Sequence, residues 1–167
     1  MYSIAIIGAK NSGKTTLVEK LLKALTDKGF NCVSKKHTSH HHSFDTTGKD
    51  SERHRKAGAS LTIATNPGEF AIFSEQNDML LSKIKETINS EFDICLIEGD
   101  KFSNVDKILL TRNITDIDSG KIEHIIASYG DNSTRLADNH FETNSIDSLV
   151  SYLVTKLKKH STAGELQ

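Results

Sequence analysis

Residues 4–18, Ile4-Ala5-Ile6-Ile7-Gly8-Ala9-Lys10-Asn11-Ser12-Gly13-Lys14-Thr15-Thr16-Leu17-Val18, decide the fold. Gly8 to Thr15 form a complete G-x-x-x-x-G-K-T loop, with the apolar run Ile4–Ile7 before it and a helical pattern after it. Glycines at these positions let backbone N–H groups converge on phosphate oxygens, a lysine adds a cation, and a threonine hydroxyl can ligate Mg²⁺. The following helix contributes its positive end. The loop therefore predicts a nucleoside triphosphate site made by Gly8, Lys10, Asn11, Ser12, Gly13, Lys14, Thr15 and Thr16.

Outward from the loop, Tyr2–Ile7 reads as a buried parallel strand, and residues 13–28 as a helix with Val18, Leu21, Leu22 and Leu25 on one face. Gly29 stops that helix and a short strand follows over 31–36. After a polar stretch, residues 49–57 suggest a short exposed helix, polar all round. Residues 61–64 and 69–74 flank Asn66-Pro67-Gly68 and predict an antiparallel hairpin. A helix is expected from Met79 to about Ser90, then strands over 93–98, 107–111 and 124–128. Ile146, Leu149, Val150, Leu153, Val154 and Leu157 form one stripe of a last helix. This alternation predicts an α/β fold: a three-layer P-loop NTPase domain over residues 1–160, mostly parallel with a small antiparallel hairpin insert, and a frayed tail over 161–167.

The strand Asp93-Ile94-Cys95-Leu96-Ile97 ends in Glu98-Gly99, an acid that reaches the phosphate loop if this strand neighbours the first one. Mg²⁺ keeps octahedral oxygen coordination with several waters, so Thr15, one carboxylate, phosphate and water would complete its shell. Thr15 and Glu98 are accordingly the candidate metal residues, with Asp50 as a further one. Five of the eight histidines lie between positions 37 and 54. That segment leaves the second strand at the sheet edge where open α/β folds bind ligands, although no Zn²⁺ ligand spacing accompanies it. Within it Asp45 and Asp50 could orient a water, and Lys36, Lys49 and Arg53 could neutralise phosphate. The plainer reading makes Asp50 a helix cap and Arg53, Arg55 and Lys56 a solvated face. For the base, Asn113-Ile114-Thr115-Asp116 only echoes the N-K-x-D element of GTPases, and Tyr129 with Asp131 is an alternative contact.

Whole-chain properties narrow the partners. With 21 basic and 22 acidic residues there is no global positive field of the kind that drives nucleic-acid binding. No apolar stretch is long enough to span a membrane, and two distant cysteines suggest free thiols in a cytoplasmic protein.

Gly8–Thr16, Lys36-His37 with His40, His41, Phe44 and Asp45, then Gly48-Lys49-Asp50-Ser51 with Arg53 and Ala57-Gly58-Ala59, and finally Leu96-Ile97-Glu98-Gly99, resemble the molybdopterin-guanine dinucleotide biosynthesis protein B family (MobB). The resemblance covers the first 101 residues; the C-terminal third matches only in rhythm. It implies a small homodimeric GTP-binding protein with Mg²⁺ as cofactor. It also implies slow GTP hydrolysis and assistance to the nucleotidyltransferase that attaches GMP to the molybdopterin cofactor. On that basis Lys14, Asp45, Asp50 and Glu98 are the candidate catalytic residues. Lys36, His37, His40, His41, Lys49, Arg53 and Lys101 are candidate contacts to cofactor or phosphate. Two other classes fit a P-loop chain of this size: a small-molecule kinase and a non-hydrolysing nucleotide-sensing module.

Overall fold

The computed structural model describes residues 1–38, 43–74, 78–113, 121–131 and 137–164. In chain order its elements are β1 (Tyr2–Ile7), α1 (Lys14–Thr26), β2 (Cys32–Lys36), α2 (Asp50–Lys56), β3 (Leu61–Thr65), β4 (Phe70–Ser74), α3 (Asp78–Glu91), β5 (Ile94–Glu98), β6 (Asp106–Leu110), β7 (Ile125–Tyr129), β8 (His140–Phe141) and α4 (Ile146–Gly164). The chain divides into two compact units, residues 1–38 with 88–167, and residues 39–87.

The first unit is built on a six-stranded sheet in the order β2-β5-β1-β6-β7-β8, and every pairing in it is parallel. Side chains alternate across a strand, so a strand covered on both faces must be apolar throughout. β1 meets that demand: Ile4 and Ile6 join one core with Leu17, Leu21, Leu96 and Leu153, while Ala5 and Ile7 join another with Cys95, Ile97 and Leu109. α1 and α4 supply the helical side of the larger core through Leu17, Val18, Leu21 and Leu25, and through Leu149, Val150, Leu153 and Leu157. The strands flanking β1 both come from the second half of the chain, and the carboxyl ends of β5 and β6 therefore stand on either side of the loop that leaves β1.

In the second unit β3 and β4 pair antiparallel, as the turn residues predict. Asn66 Oδ1 accepts from the N–H groups of Gly68 (2.8 Å) and Glu69 (2.9 Å), fixing the turn. Two details depart from expectation. α4 continues to Gly164, so four of the seven residues read as a frayed tail are helical and the last three lie outside the described residues. β8 is an additional strand of two residues. No helix among the described residues is long and apolar enough to cross a membrane.

Candidate functional site

The loop from Gly8 to Gly13 turns tightly because two of its residues adopt left-handed backbone, Asn11 (φ 58°) and Gly13 (φ 97°). A side chain at Gly8 would place its Cβ 2.6 Å from Ser12 Oγ and 3.0 Å from Leu110 Cβ, so only glycine fits there. α1 begins without a side-chain cap, which leaves its first N–H groups directed into the loop. Lys14 Nζ donates to the carbonyls of Gly8 (3.1 Å) and Ala9 (2.6 Å). Burial pushes its pKa below the ordinary lysine value; Glu98 opposes that shift and Lys36 adds to it. Ser12 is buried, and its hydroxyl has no hydrogen-bond partner among the described residues.

Glu98 closes β5 beside this loop, as its position on a neighbouring strand requires. Thr15 Oγ1 donates to Glu98 Oε2 at 3.0 Å, and Lys36 Nζ lies 3.2 Å from Oε1. Lys36 reaches it because β2 pairs with β5 in a register that sets Lys36 opposite Glu98, and the His37 N–H donates to the Glu98 carbonyl at 2.9 Å. Gly99 then takes φ 91°, and a Cβ there would stand 3.0 Å from the His37 carbonyl oxygen. Lys35 pairs with Asp100 at 3.6 Å, and the Lys101 ammonium lies 5.0 Å from the Phe102 ring centre. Thr15 and Glu98 offer hard oxygen donors in contact with one another, and Glu98 already attracts an ammonium. That chemistry fits Mg²⁺, which takes few protein ligands and completes its shell with phosphate and water.

A cleft of about 450 Å³ opens from the other side of the loop, lined by Ser12, Gly13, Thr16, Leu17 and Lys20, by Leu110 and Arg112 after β6, by Tyr129, Gly130 and Asp131 after β7, and by Thr143. Tyr129 differs from its expected role as a stacking ring. It belongs to the main core, 7% exposed, and its hydroxyl donates to the Thr143 carbonyl at 2.8 Å. Arg112 was not singled out by the sequence, although its place just past a strand's carboxyl end is the signal that marks it. Lys107 was also missed: a lysine inside an apolar strand is the cue. It is 1% exposed, and its Nζ donates to the carbonyls of Ser103 (2.6 Å) and Val105 (2.9 Å), pinning the loop that follows Glu98-Gly99.

Asp45 and Asp50 belong to the second unit. Asp45 is buried and accepts hydrogen bonds from Ser51 Oγ and Arg55 Nη2, both at 2.8 Å. Burial works against its carboxylate, but these hydrogen bonds, the Arg55 charge and the Thr46 backbone N–H together outweigh it and hold the pKa below the ordinary carboxylate range. Arg55 is therefore no part of a solvated face; its guanidinium also lies 5.6 Å over the Phe73 ring. Asp50 is the first residue of α2 and pairs with Arg53 at 3.2 Å. It is not the cap: Lys49 holds that position without a side-chain cap, and Glu52 reaches back to the Gly48 N–H at 2.7 Å instead. His40 and His41 lie outside the described residues, as does the Ile114–Asp116 part of the base-recognition echo. Among the described residues no three His, Cys, Asp or Glu side chains group as metal ligands.

A parallel sheet with a G-x-x-x-x-G-K-T loop at the carboxyl end of an inner strand, and an acid closing the neighbouring strand, defines an α/β P-loop NTPase fold. A family model described as molybdopterin guanine dinucleotide synthesis protein B matches residues 3–130. The chain belongs to this MobB family. It is 30% identical to the molybdopterin-guanine dinucleotide biosynthesis adapter protein of Escherichia coli strain K12, over 95% of this chain and 94% of that protein. It is 37% identical to the adapter protein of the same description from Haemophilus influenzae, over 65% of this chain and 62% of that one. The crystal structure of Bacillus subtilis MobB superposes with a TM-score of 0.70 at 24% identity, covering 93% of this chain and 97% of the other, which establishes the shared fold.

Proposed function

We propose that this protein is a GTP-binding adapter of molybdenum cofactor biosynthesis that hydrolyses GTP slowly and serves the nucleotidyltransferase that joins GMP to molybdopterin. The observation that carries the reading is the contact between Thr15 and Glu98 at 3.0 Å, beside a loop whose lysine and uncapped helix start face the same region. The buried, unpartnered Ser12 hydroxyl supports it further, because buried donors are almost always paired and a phosphate oxygen suits this one as acceptor. Lys14 would bind the phosphates, and Thr15 and Glu98 would hold Mg²⁺. The ion would supply charge neutralisation on the phosphate oxygens. The cleft beside Thr16 is of a size that small-molecule sites use, roughly 300–1,000 Å³, and would take the nucleoside half, with the exposed Arg112 and Asp131 as polar contacts.

The names of the relatives support the pathway and an adapter's role in it, and an adapter calls for a partner in that pathway. Asp45 is committed to Ser51 and Arg55, so its part is to hold the 43–56 segment in shape. Hydrolysis would then rest on positioning by Lys14, Thr15 and Glu98, with Asp50 as the remaining candidate to orient a water, and is slow until a partner arrives. Unpaired Cys32 and Cys95 suit a cytoplasmic location. The test is to incubate the purified protein with Mg·GTP and with Mg·ATP and identify the products. Slow release of GDP from GTP is the expected result. A phosphorylated acceptor would make it a kinase, and binding without turnover a nucleotide sensor; rapid turnover of either triphosphate in the absence of a partner would overturn the adapter reading.

A further inference from the structure

Glu98 has two carboxylate oxygens and both are engaged, Oε2 by the Thr15 hydroxyl at 3.0 Å and Oε1 by the Lys36 ammonium at 3.2 Å. The two partners are held differently. Thr15 is on the first turn of α1. Lys36 has its backbone fixed at the end of β2 by pairing with β5, and by the His37 N–H on the Glu98 carbonyl, yet its side chain is 63% exposed. A fixed stem with a solvated head makes a tethered cation: it stays within reach of Glu98 and leaves it at small cost, since exposed ion pairs are worth at most about 1 kcal/mol. Lys14, whose ammonium is held by the Gly8 and Ala9 carbonyls, adds a second positive charge at the same loop. A divalent ion arriving at Thr15 and Glu98 meets this local excess of positive charge.

We propose that Lys36 is a positioning residue that occupies Glu98 as an internal counter-ion, which Mg²⁺ must displace when it binds. This rests on the metal assignment of the proposed function. It differs from the expectation that Lys36 contacts cofactor or phosphate, because it acts on the carboxylate and against the metal. Mg²⁺ uptake is then set by exchange of one cation for another, and the released ammonium is left at the edge of the phosphate site.

The proposal is tested with the full-length protein and a fluorescent GTP analogue, titrating Mg²⁺ and reading the concentration that gives half of the Mg²⁺-dependent change. Lys36→Met is expected to lower that concentration about fourfold, the range of an exposed ion pair, and Lys36→Arg, which keeps the cation, to leave it at the wild-type value. Lys35→Met removes the same charge one residue away, where it pairs with Asp100, and is expected to change the value by less than about twofold in physiological salt. A Lys36→Met value equal to or above wild type overturns the proposal, as does an equal drop in Lys35→Met. If the analogue does not bind at all, the function proposed above falls. Mn²⁺ titrated into the nucleotide-free protein and followed by electron paramagnetic resonance then decides: tighter Mn²⁺ binding by Lys36→Met supports the counter-ion, and unchanged binding rejects it.

Discussion

Lys14 is tied to two carbonyls of its own loop, which hold its ammonium at the loop proposed to take the phosphates. Replacing it with alanine removes a charge-assisted hydrogen bond worth roughly 1.5–3 kcal/mol. Lys14→Ala is therefore expected to weaken GTP binding roughly 10- to 100-fold in calorimetry, with an unchanged circular dichroism spectrum. Equal affinity would remove the loop from the binding site. Gly8 makes a steric prediction. Gly8→Ala drives a methyl group into Ser12 Oγ and Leu110 Cβ, at an expected cost of about 1–3 kcal/mol in denaturant unfolding. Adding Ser12→Ala removes the nearer clash and should restore part of the loss. No restoration would show that Leu110 alone sets the limit.

Among the elements, the segment from Ser43 to α2 is bound together by Asp45. A carboxyl whose pKa is lower folded than unfolded contributes stability that is present above the unfolded value, ordinarily 3.8, and is lost as pH falls through the folded value. The second unit is thus expected to loosen on acidification below about pH 4, and Arg55→Met, which removes one of the two side-chain hydrogen bonds, to loosen at a higher pH. Chemical-shift changes of residues 43–56 across an acid titration check this; coincident curves for the two proteins would deny Asp45 its structural part. The hairpin carries a different prediction. Register pairs Ile63 with Ile72 and Thr65 with Phe70, placing Leu61, Ile63, Phe70 and Ile72 on one face, each at least 40% exposed. An apolar face of this kind suits the homodimer implied by the family resemblance. Ile63→Lys with Ile72→Lys is expected to shift sedimentation from dimer to monomer. A wild-type protein that sediments as a monomer refutes the pairing.

Across the whole molecule, what was legible in the residues was what local chemistry controls. β1, its loop and α1 could be read because glycine, lysine and periodic leucines each act within a few positions. The hairpin could be read because Asn66-Pro67-Gly68 makes its own turn. Glu98 was readable only on the condition that its strand neighbours β1, which the sheet fulfils. The sheet order itself depends on packing between distant segments and leaves no local trace. β8 has two residues and hence no periodicity to detect. Asp45 and Arg55 lie ten positions apart, and the charge-rich run around Arg55 reads equally well as surface. Lys107 is hidden by its type, since a buried lysine becomes intelligible only once the carbonyls that receive it are known.

The strand order also dictates when the protein can come into being. β1 and β2 are synthesised first, yet they do not pair with each other: their partners are β5 and β6, which begin at residues 94 and 106. A growing chain therefore carries its phosphate loop on an unpaired strand until well past its midpoint, and the Thr15 to Glu98 contact closes a span of 83 residues. Such distant pairings are slow to form and leave edges exposed while they wait. A chain stopped after α3 keeps the whole G-x-x-x-x-G-K-T sequence but has no partner for β1, and is expected to show neither cooperative unfolding nor affinity for GTP. Nucleotide added during synthesis would accordingly stabilise nothing before residue 98 has emerged, which makes competence to bind a late event in the life of each molecule.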